Sequence, residues 1–297
     1  MITNINVGIK GQYKLVVLRE SSIHFETDWF DNLILNNGLN YLGGDVNSNP
    51  IPIARVGTGN TPVAVNQTEL ISQIAFATVS ESEINNLGVS QGYATLFTYQ
   101  YSFTSGGIVD TVREVGVGWD STGSTLFSRV VLSSPIVLTS IDKLIVYYRL
   151  KLEPKITDNT GTISVSGTNY NYTSRLAFAG SFANNSAALN PAVFSRIASC
   201  IAYSNASLGS IANNISSSSS GSPASSLTYQ TYVANTKTRS SIATWMPSSA
   251  VSADGINGFT VASSSNIYRY QMVLNNPIPK TNVDILTMTF RIGWDRV

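Results

Sequence analysis

Apolar residues recur at every second position through much of this chain. In Ala94-Thr-Leu-Phe-Thr-Tyr-Gln-Tyr-Ser-Phe103 the side chains of Phe97, Tyr99, Tyr101 and Phe103 share one face, with Thr98, Gln100 and Ser102 on the other. That alternation predicts a half-buried strand. β-branched and aromatic residues concentrate in the same way over 13–18, 111–119, 126–132, 143–151, 162–166, 227–233, 268–274 and 285–292, and each stretch predicts a further strand. Turn-forming strings separate them: Ser105-Gly-Gly107, Asp120-Ser-Thr-Gly123, Asp158-Asn-Thr-Gly161 and Asp254-Gly255. Only two segments predict helices, 29–42 ahead of Gly43-Gly44, and 68–74 after the loop Gly57-Thr-Gly-Asn-Thr-Pro62. The pattern is that of an all-β, mainly antiparallel protein built as a sandwich or barrel, with few short helices.

The chain also repeats itself. Leu132-Ser-Ser-Pro-Ile136 aligns with Leu274-Asn-Asn-Pro-Ile278, and without a gap Asp142-Lys-Leu-Ile-Val-Tyr-Tyr-Arg-Leu150 falls on Asp284-Ile-Leu-Thr-Met-Thr-Phe-Arg-Ile292. Leu132, Pro135, Ile136, Asp142, Leu144 and Arg149 have identical counterparts in Leu274, Pro277, Ile278, Asp284, Leu286 and Arg291. A unit of strand, proline-bearing connection and strand used twice predicts two related β-sandwich-like domains from an internal duplication. The boundary is expected in the polar loop 153–160, giving domains 1–152 and 153–297. The second contains a Ser/Asn/Gly-rich tract, 204–226, with too little apolar area to offset the entropy of ordering it alone. It is expected to be an exposed mobile loop or to be held by a neighbouring subunit.

Composition removes several function classes. Eighteen Lys and Arg against seventeen Asp and Glu leave a formal charge of +1, so there is no long-range field to collect nucleic acid, anionic lipid or an acidic substrate. Charged residues make up 12 % of the chain, about half the usual share, which favours strands, turns and subunit contacts. The start of the chain lacks the basic and long apolar regions of a secretory signal, and no apolar run approaches bilayer-spanning length. Synthesis in a cytoplasm and no membrane insertion are expected. The Asn-x-Ser/Thr triplets at Asn66, Asn171, Asn184, Asn205 and Asn214 are therefore read as unglycosylated.

Candidate chemistry is sparse. Cys200, the single cysteine, lies in Arg196-Ile-Ala-Ser-Cys-Ile-Ala-Tyr203 and reads as a buried small hydrophobe. The single histidine, His24, sits in the strand-like Ser22-Ile-His-Phe25, and no Gly-x-Ser-x-Gly elbow presents a serine to it. One Cys and one His do not supply a zinc ligand set. Glu26, Asp28 and Asp31 cluster without Ca²⁺-loop spacing and read as a solvated acidic rim. Val56-Gly-Thr-Gly-Asn60 is part of a phosphate-loop string but lacks its third glycine and its basic residue, so it reads as a turn. Arg113, Arg129, Arg149, Arg175, Arg196, Arg239, Arg269, Arg291 and Arg296 are spread along strands beside aromatics and suit pairing across sheets or interfaces. No catalytic residue, cofactor site or metal site is assigned. A paired-carboxylate glycosidase remains an alternative, since such pairs come from distant segments.

Four strings together resemble a known module. Trp29-Phe-Asp-Asn-Leu-Ile-Leu-Asn-Asn-Gly-Leu-Asn-Tyr-Leu42, Ala54-Arg-Val-Gly-Thr-Gly-Asn-Thr-Pro62 with Gln67-Thr-Glu-Leu70, Arg113-Glu-Val-Gly-Val-Gly-Trp119 and Leu126-Phe-Ser-Arg129 are similar to minor structural proteins of tailed bacteriophages, commonly tail, collar or fibre components. The resemblance covers about residues 25–150. It implies an enzyme-free virion subunit, assembled in the bacterial host cytoplasm. Such a subunit forms a homo-oligomer and docks onto other virion structural proteins. The alternative is a receptor-binding fibre or tailspike module, for which Tyr170, Tyr172, Tyr229 and Tyr232 are the candidate sugar-stacking residues facing a host receptor.

Overall fold

The computed structural model describes residues 2–44, 48–86, 93–120, 125–177, 195–211, 215–217, 220–264 and 268–297. The first half contributes β1 (Ile2–Arg19), β2 (Ser22–Glu26), β3 (Phe30–Asp31), β4 (Leu33–Ile34), α1 (Asn36–Gly43), β5 (Ile53–Gly57), β6 (Gln73–Asn86), β7 (Thr95–Ser102), β8 (Thr111–Gly118), β9 (Leu126–Val137) and β10 (Asp142–Pro154). The second contributes β11 (Asn159–Val165), β12 (Thr168–Ala177), β13 (Ile197–Tyr203), β14 (Ala206–Ser207), β15 (Ser216–Ser217), β16 (Ser222–Pro223), β17 (Ser226–Tyr229), β18 (Thr238–Trp245), β19 (Ser252–Ser263), β20 (Arg269–Lys280) and β21 (Leu286–Arg296). The protein is all-β with antiparallel ladders throughout the described residues, except where β1 runs parallel to β21.

Alternation decides which faces are buried. Phe97, Tyr99, Tyr101 and Phe103 all point inward, while Thr98, Gln100 and Ser102 lie at the half-exposed face, as their period-2 spacing predicts. The large sheet runs β17-β18-β21-β1-β10-β7-β6-β5-β8-β9-β4, turning through β6, whose first part pairs with β5 and whose second part pairs with β7. The smaller sheet runs β11-β12-β20-β19-β13-β16. Rings cross between layers in both halves. Tyr13 of β1 shares a hydrogen bond with Ser128 of β9 (2.9 Å), and Phe259 of β19 packs between Trp245 of β18 (5.6 Å) and Phe290 of β21 (6.1 Å).

The strand ladder does not break at the expected boundary of 152/153. β1 pairs with β10 over 7–19 and with β21 over 2–9, so one strand belongs to the ladders of both halves, and one apolar cluster contains buried residues of both.

The sequence repeat has a counterpart in the ladders. In β7·β10, Tyr101 faces Val146 and Tyr99 faces Tyr148; in β18·β21, Ala243 faces Met288 and Ser241 faces Phe290, each residue 142 positions later. The same spacing relates Leu33 facing Arg129 to Arg175 facing Gln271. The Leu-x-x-Pro strings are four-residue bulges. Pairing jumps from Val112↔Ile136 to Glu114↔Val131 in one, and from Ile256↔Ile278 to Gly258↔Val273 in the other. A bulge is where a strand tolerates proline, which has no N–H to donate. Both repeats then make the same turn. Thr139 donates from its N–H (2.8 Å) and hydroxyl (2.7 Å) to Asp142, and Thr281 does so to Asp284 (2.8 and 2.6 Å). At the other end of these strands Glu153 and Asp295, again 142 apart, flank Gly8 on its two sides. Because β10 and β21 run in opposite directions on the two sides of β1, the two turns lie toward opposite ends of it.

Several expectations need correction. Within 29–42 only α1 is helical. Trp29 is held instead by the Arg149 guanidinium, 3.7 Å from its ring, and the next residues form β3 and β4 against β1 and β9. Segment 68–74 is not a helix, because the N–H groups of Ile71 and Ser72 are committed to the Glu114 carboxylate and Gln73 begins β6. Asn159-Thr-Gly161 begins β11, and the turn falls at Ser166-Gly167, both at positive φ. Asp254-Gly255 is part of an irregular stretch of β19, with Gly255 at φ +70°. The strand expected over 227–233 stops at Tyr229. The Asp120-Ser-Thr-Gly123 turn lies outside the described residues from 121 onward.

Candidate assembly surface and the buried node behind it

The strings that carry the phage resemblance meet in space. Glu114 of β8 and Arg129 of β9 form an ion pair (2.7 Å) with both side chains fully enclosed. Glu114 Oε1 accepts from the N–H groups of Gly59 (3.1 Å) and Ser72 (2.8 Å); Oε2 accepts from Ile71 N–H (3.1 Å) and Arg129 Nε (2.9 Å). Arg129 also donates to Gln67 Oε1 (2.8 Å) and the Thr61 carbonyl (3.1 Å). The planar guanidinium serves the carboxylate and the loop carbonyls at once, a geometry that lysine does not reproduce. The loop 57–72 is thereby pinned; the expected turn Val56-Gly-Thr-Gly-Asn60 instead begins as the last two residues of β5 and bends at Thr58, and the Gly59 N–H meets a carboxylate of the chain itself.

The second half repeats this arrangement without charge. Gln271, 142 residues after Arg129 and equally buried, accepts from Gly209 N–H (2.6 Å) and donates to the carbonyls of Gly209 and Ser210 (3.2 Å each). Trp245 Nε1 donates to Ser222 O (3.0 Å), and Asn257 brackets Ala206 through its N–H (2.8 Å) and carbonyl (3.0 Å). The described part of the Ser-rich tract 204–226 is therefore tied to its own chain at Ala206, Gly209, Ser210 and Ser222.

Helix α1 is held from the second half. The last four carbonyls of an α-helix lack intrahelical i→i−4 donors, and the second half reaches carbonyls at and just before that end. Trp294 Nε1 donates to Leu39 O (2.8 Å), Ser195 to Leu42 O (2.6 Å), and Arg239 to the carbonyls of Gly43 (3.0 Å) and Gly44 (2.9 Å). The arginine also complements the negative end of the helix dipole. Asn40 Oδ1 accepts from the Tyr232 hydroxyl (2.8 Å) and the Asn235 N–H (2.8 Å), and its amide donates to Asn235 Oδ1 (2.8 Å).

The other sequence candidates are dispersed. Cys200 is buried in β13, and desolvation pushes its thiol well above the ordinary range, as befits an inert small hydrophobe. His24 is exposed on β2 beside a small cleft of about 180 Å³ lined by Val17, Phe25, Pro135, Ile136 and Val137. Glu26 and Asp31 pair with Lys14 (2.8 Å) and Lys10 (3.1 Å) of β1, and hydrogen bonding from Gln12 leads the lowering of the Asp31 carboxyl below its usual range. Tyr170 and Tyr172 are buried, Tyr229 is exposed, and Tyr232 packs on Trp294 (5.8 Å), so the four candidate stacking tyrosines do not line one groove. Of the arginines, Arg175 pairs with Asp158 (2.6 Å) and Arg296 donates to Ile34 O and to Asn36 (2.6 Å). Among the described residues no group of three or more His, Cys, Asp or Glu gathers as a metal site.

Sequence reasoning missed a surface feature. Large apolar side chains stand in water at several places, Phe76, Val233 and Val297 among them, and some lie at the two ends of the strand ladder. One end carries Ile23, Phe25, Val109, Val137 and Ile141; the other carries Met246, Val251, Val283 and Ile285. An open cleft of about 530 Å³ lies between them, near Gly8, lined by Glu153, Lys155, Lys237, Trp294 and Asp295. Compared with protein-family models, curated proteins and solved structures, the chain shows no significant match.

Proposed function

We propose that this chain is a structural subunit of a tailed-phage virion, in the tail, collar or head-to-tail region, and that it works by protein–protein assembly. The observation that carries the reading is the set of aliphatic side chains at both ends of the ladder, with Val137 69 % and Val283 77 % exposed. Single exposed apolar residues are ordinary, but grouped ones at strand ends are a partner surface. The buried Glu114–Arg129 node supports the reading from inside, since the strings that resemble phage proteins build one rigid element. The virion is the expected location, reached after synthesis in the host cytoplasm.

Immunogold labelling of purified particles with an antibody against the chain tests this. Label at the neck, at the baseplate or along the tail supports the proposal. Label only on distal fibre tips favours receptor binding instead, and a chain absent from particles overturns the virion reading.

A further inference from the structure

We propose that the outward face of β1 binds a neutral glycan chain, laid along the strand from the cleft at Gly8 to the ring of Trp29. The inference goes beyond the assembly reading above and is independent of it.

Alternation along β1 sends Ile5, Val7 and Ile9 into the core and leaves Asn6, Gly8, Lys10 and Gln12 on the opposite face. Ladder partners stand on the same face as the residue they oppose. Gly8 therefore lies between Glu153 of β10 and Asp295 of β21, and Gln12 lies beside Arg149 of β10. Gly293, opposite Asn6, is a second position without a side chain. The floor of the cleft of about 530 Å³ is thus backbone together with the Val297 methyl groups, which reach to where a Cβ of Gly8 would stand, and polar side chains form its rim. That volume is within the roughly 300–1,000 Å³ of small-molecule sites. Four residues further along β1, on the order of 13 Å at about 3.3 Å per residue, Trp29 stands over the same face. It is half-buried, with the Arg149 guanidinium 3.7 Å from its ring and Tyr147 edge-on at 6.5 Å.

The charges on this face select against an ion. Lys10 pairs with Asp31 (3.1 Å), Lys151 with Glu153 (2.5 Å) and Lys237 with Asp295 (2.8 Å). Each pair is neutral as a unit, so neither an anion nor a cation is drawn by a net field. The pairs nevertheless leave acceptors at the rim. Glu153 meets Lys151 through Oε1 and Asp295 meets Lys237 through Oδ1, so Oε2 and Oδ2 remain for a ligand. Asn6 adds a donor and an acceptor, and the Lys155 ammonium adds donors. Donors and acceptors interspersed around one cleft suit groups that are both at once, and sugar hydroxyls are such groups.

Trp29 supplies the other half of sugar recognition, an apolar plane with a polar edge. Arg149 takes one face of the ring, and the C–H face of a sugar takes the other. A protein partner would instead need apolar anchors, and of the exposed large apolar side chains only Val297 lines the cleft. The site is an open trough, so each sugar unit is held weakly and affinity grows with the length of glycan that reaches from Asp295 to Trp29. Because the ligand carries no charge, binding is indifferent to ionic strength.

The test is a printed array of neutral and acidic oligosaccharides probed with the purified full chain, followed by calorimetric titration of the sugars retained. Neutral oligosaccharides should be retained, with an affinity unchanged from low to high salt. Trp29→Ala should weaken binding by about two- to tenfold. Asn6→Ala, at an exposed position, should weaken it as well, and Asn6→Trp, which fills the cleft, should abolish it. Circular dichroism checks the fold of each variant, and should Trp29→Ala not fold, the two Asn6 variants decide. An array on which no neutral oligosaccharide is retained overturns the inference. So does binding confined to acidic sugars and lost in salt, or binding that both Asn6 variants leave at the wild-type level. None of these results bears on the assembly reading, which the labelling of particles decides separately.

Discussion

Replacing Arg129 by methionine tests whether the buried ion pair holds the 57–72 loop. The change roughly preserves volume and removes the guanidinium donors that now reach Glu114, Gln67 and Thr61. Glu114 keeps three backbone N–H donors but loses its counter-ion while fully enclosed. One-sided removal of a buried pair costs about 3–5 kcal/mol. At roughly 2–4 °C per kcal/mol for a chain of this size, the melting temperature should fall by roughly 6–20 °C. Urea unfolding followed by tryptophan fluorescence gives the free energy, and limited thermolysin digestion should cut within 57–72 in the variant before the wild type. Adding Glu114→Gln to Arg129→Met removes the stranded charge while retaining an acceptor for the loop N–H groups, so the double variant should recover more than about 1 kcal/mol over the single one. An Arg129→Met variant within about 1 kcal/mol of wild type, or a double variant no more stable than the single, would refute the reasoning.

Further outcomes follow from other packed sites. Gly38→Ala should destabilise by about 1–3 kcal/mol in chemical denaturation, although alanine is the better helix former by about 1 kcal/mol, because a Cβ there collides with the Phe127 carbonyl across the α1·β9 contact. Trp294→Phe should cost about 0.5–1.5 kcal/mol by removing the indole hydrogen bond to the Leu39 carbonyl, and loss of protection at the α1 amides should be visible by hydrogen exchange. Burial pushes the Tyr148 hydroxyl up to about 12 and raises those of Tyr13 and Tyr101 as well. A raised folded-state value means that this stability is complete below pH 10 and lost as pH rises through about 12. Phenolate absorbance at 295 nm should therefore show a late, steep step coincident with loss of circular dichroism; titration of every tyrosine near pH 10 with the fold intact would contradict it. Cys200 should resist a thiol reagent in the native state and react once in denaturant.

What could be read from the sequence was whatever rests on local pattern. The alternation in β7 gave its buried face correctly, whereas the strings ending at Ile136 and Ile278, expected as proline-bearing connections, are two bulges of the same length within continuous strands. Strands such as β18 and β13 were missed because Ser, Ala and Thr occupy both faces and blur the period. The Glu114–Arg129 pair was missed because each charge sits in an otherwise apolar string, and only the β8·β9 register, with Gly116 facing Arg129, brings them together. The signal was there: a single charge on the inward side of each of two successive strands predicts that the two must neutralise each other. Residues 29–35 misled because their apolar spacing suits a helix, while Trp29 and Arg149 meet only after β10 is in place.

β1 gives the molecule a mechanical character. Its first residues lie parallel to β21 and its remainder antiparallel to β10, so a pull applied at the two ends loads both ladders along their length. Hydrogen bonds loaded in that direction share the force and must fail together, whereas a hairpin pulled open fails one bond at a time. A chain pulled from those two ends would then carry tension through β1, with two ladders resisting the load at once.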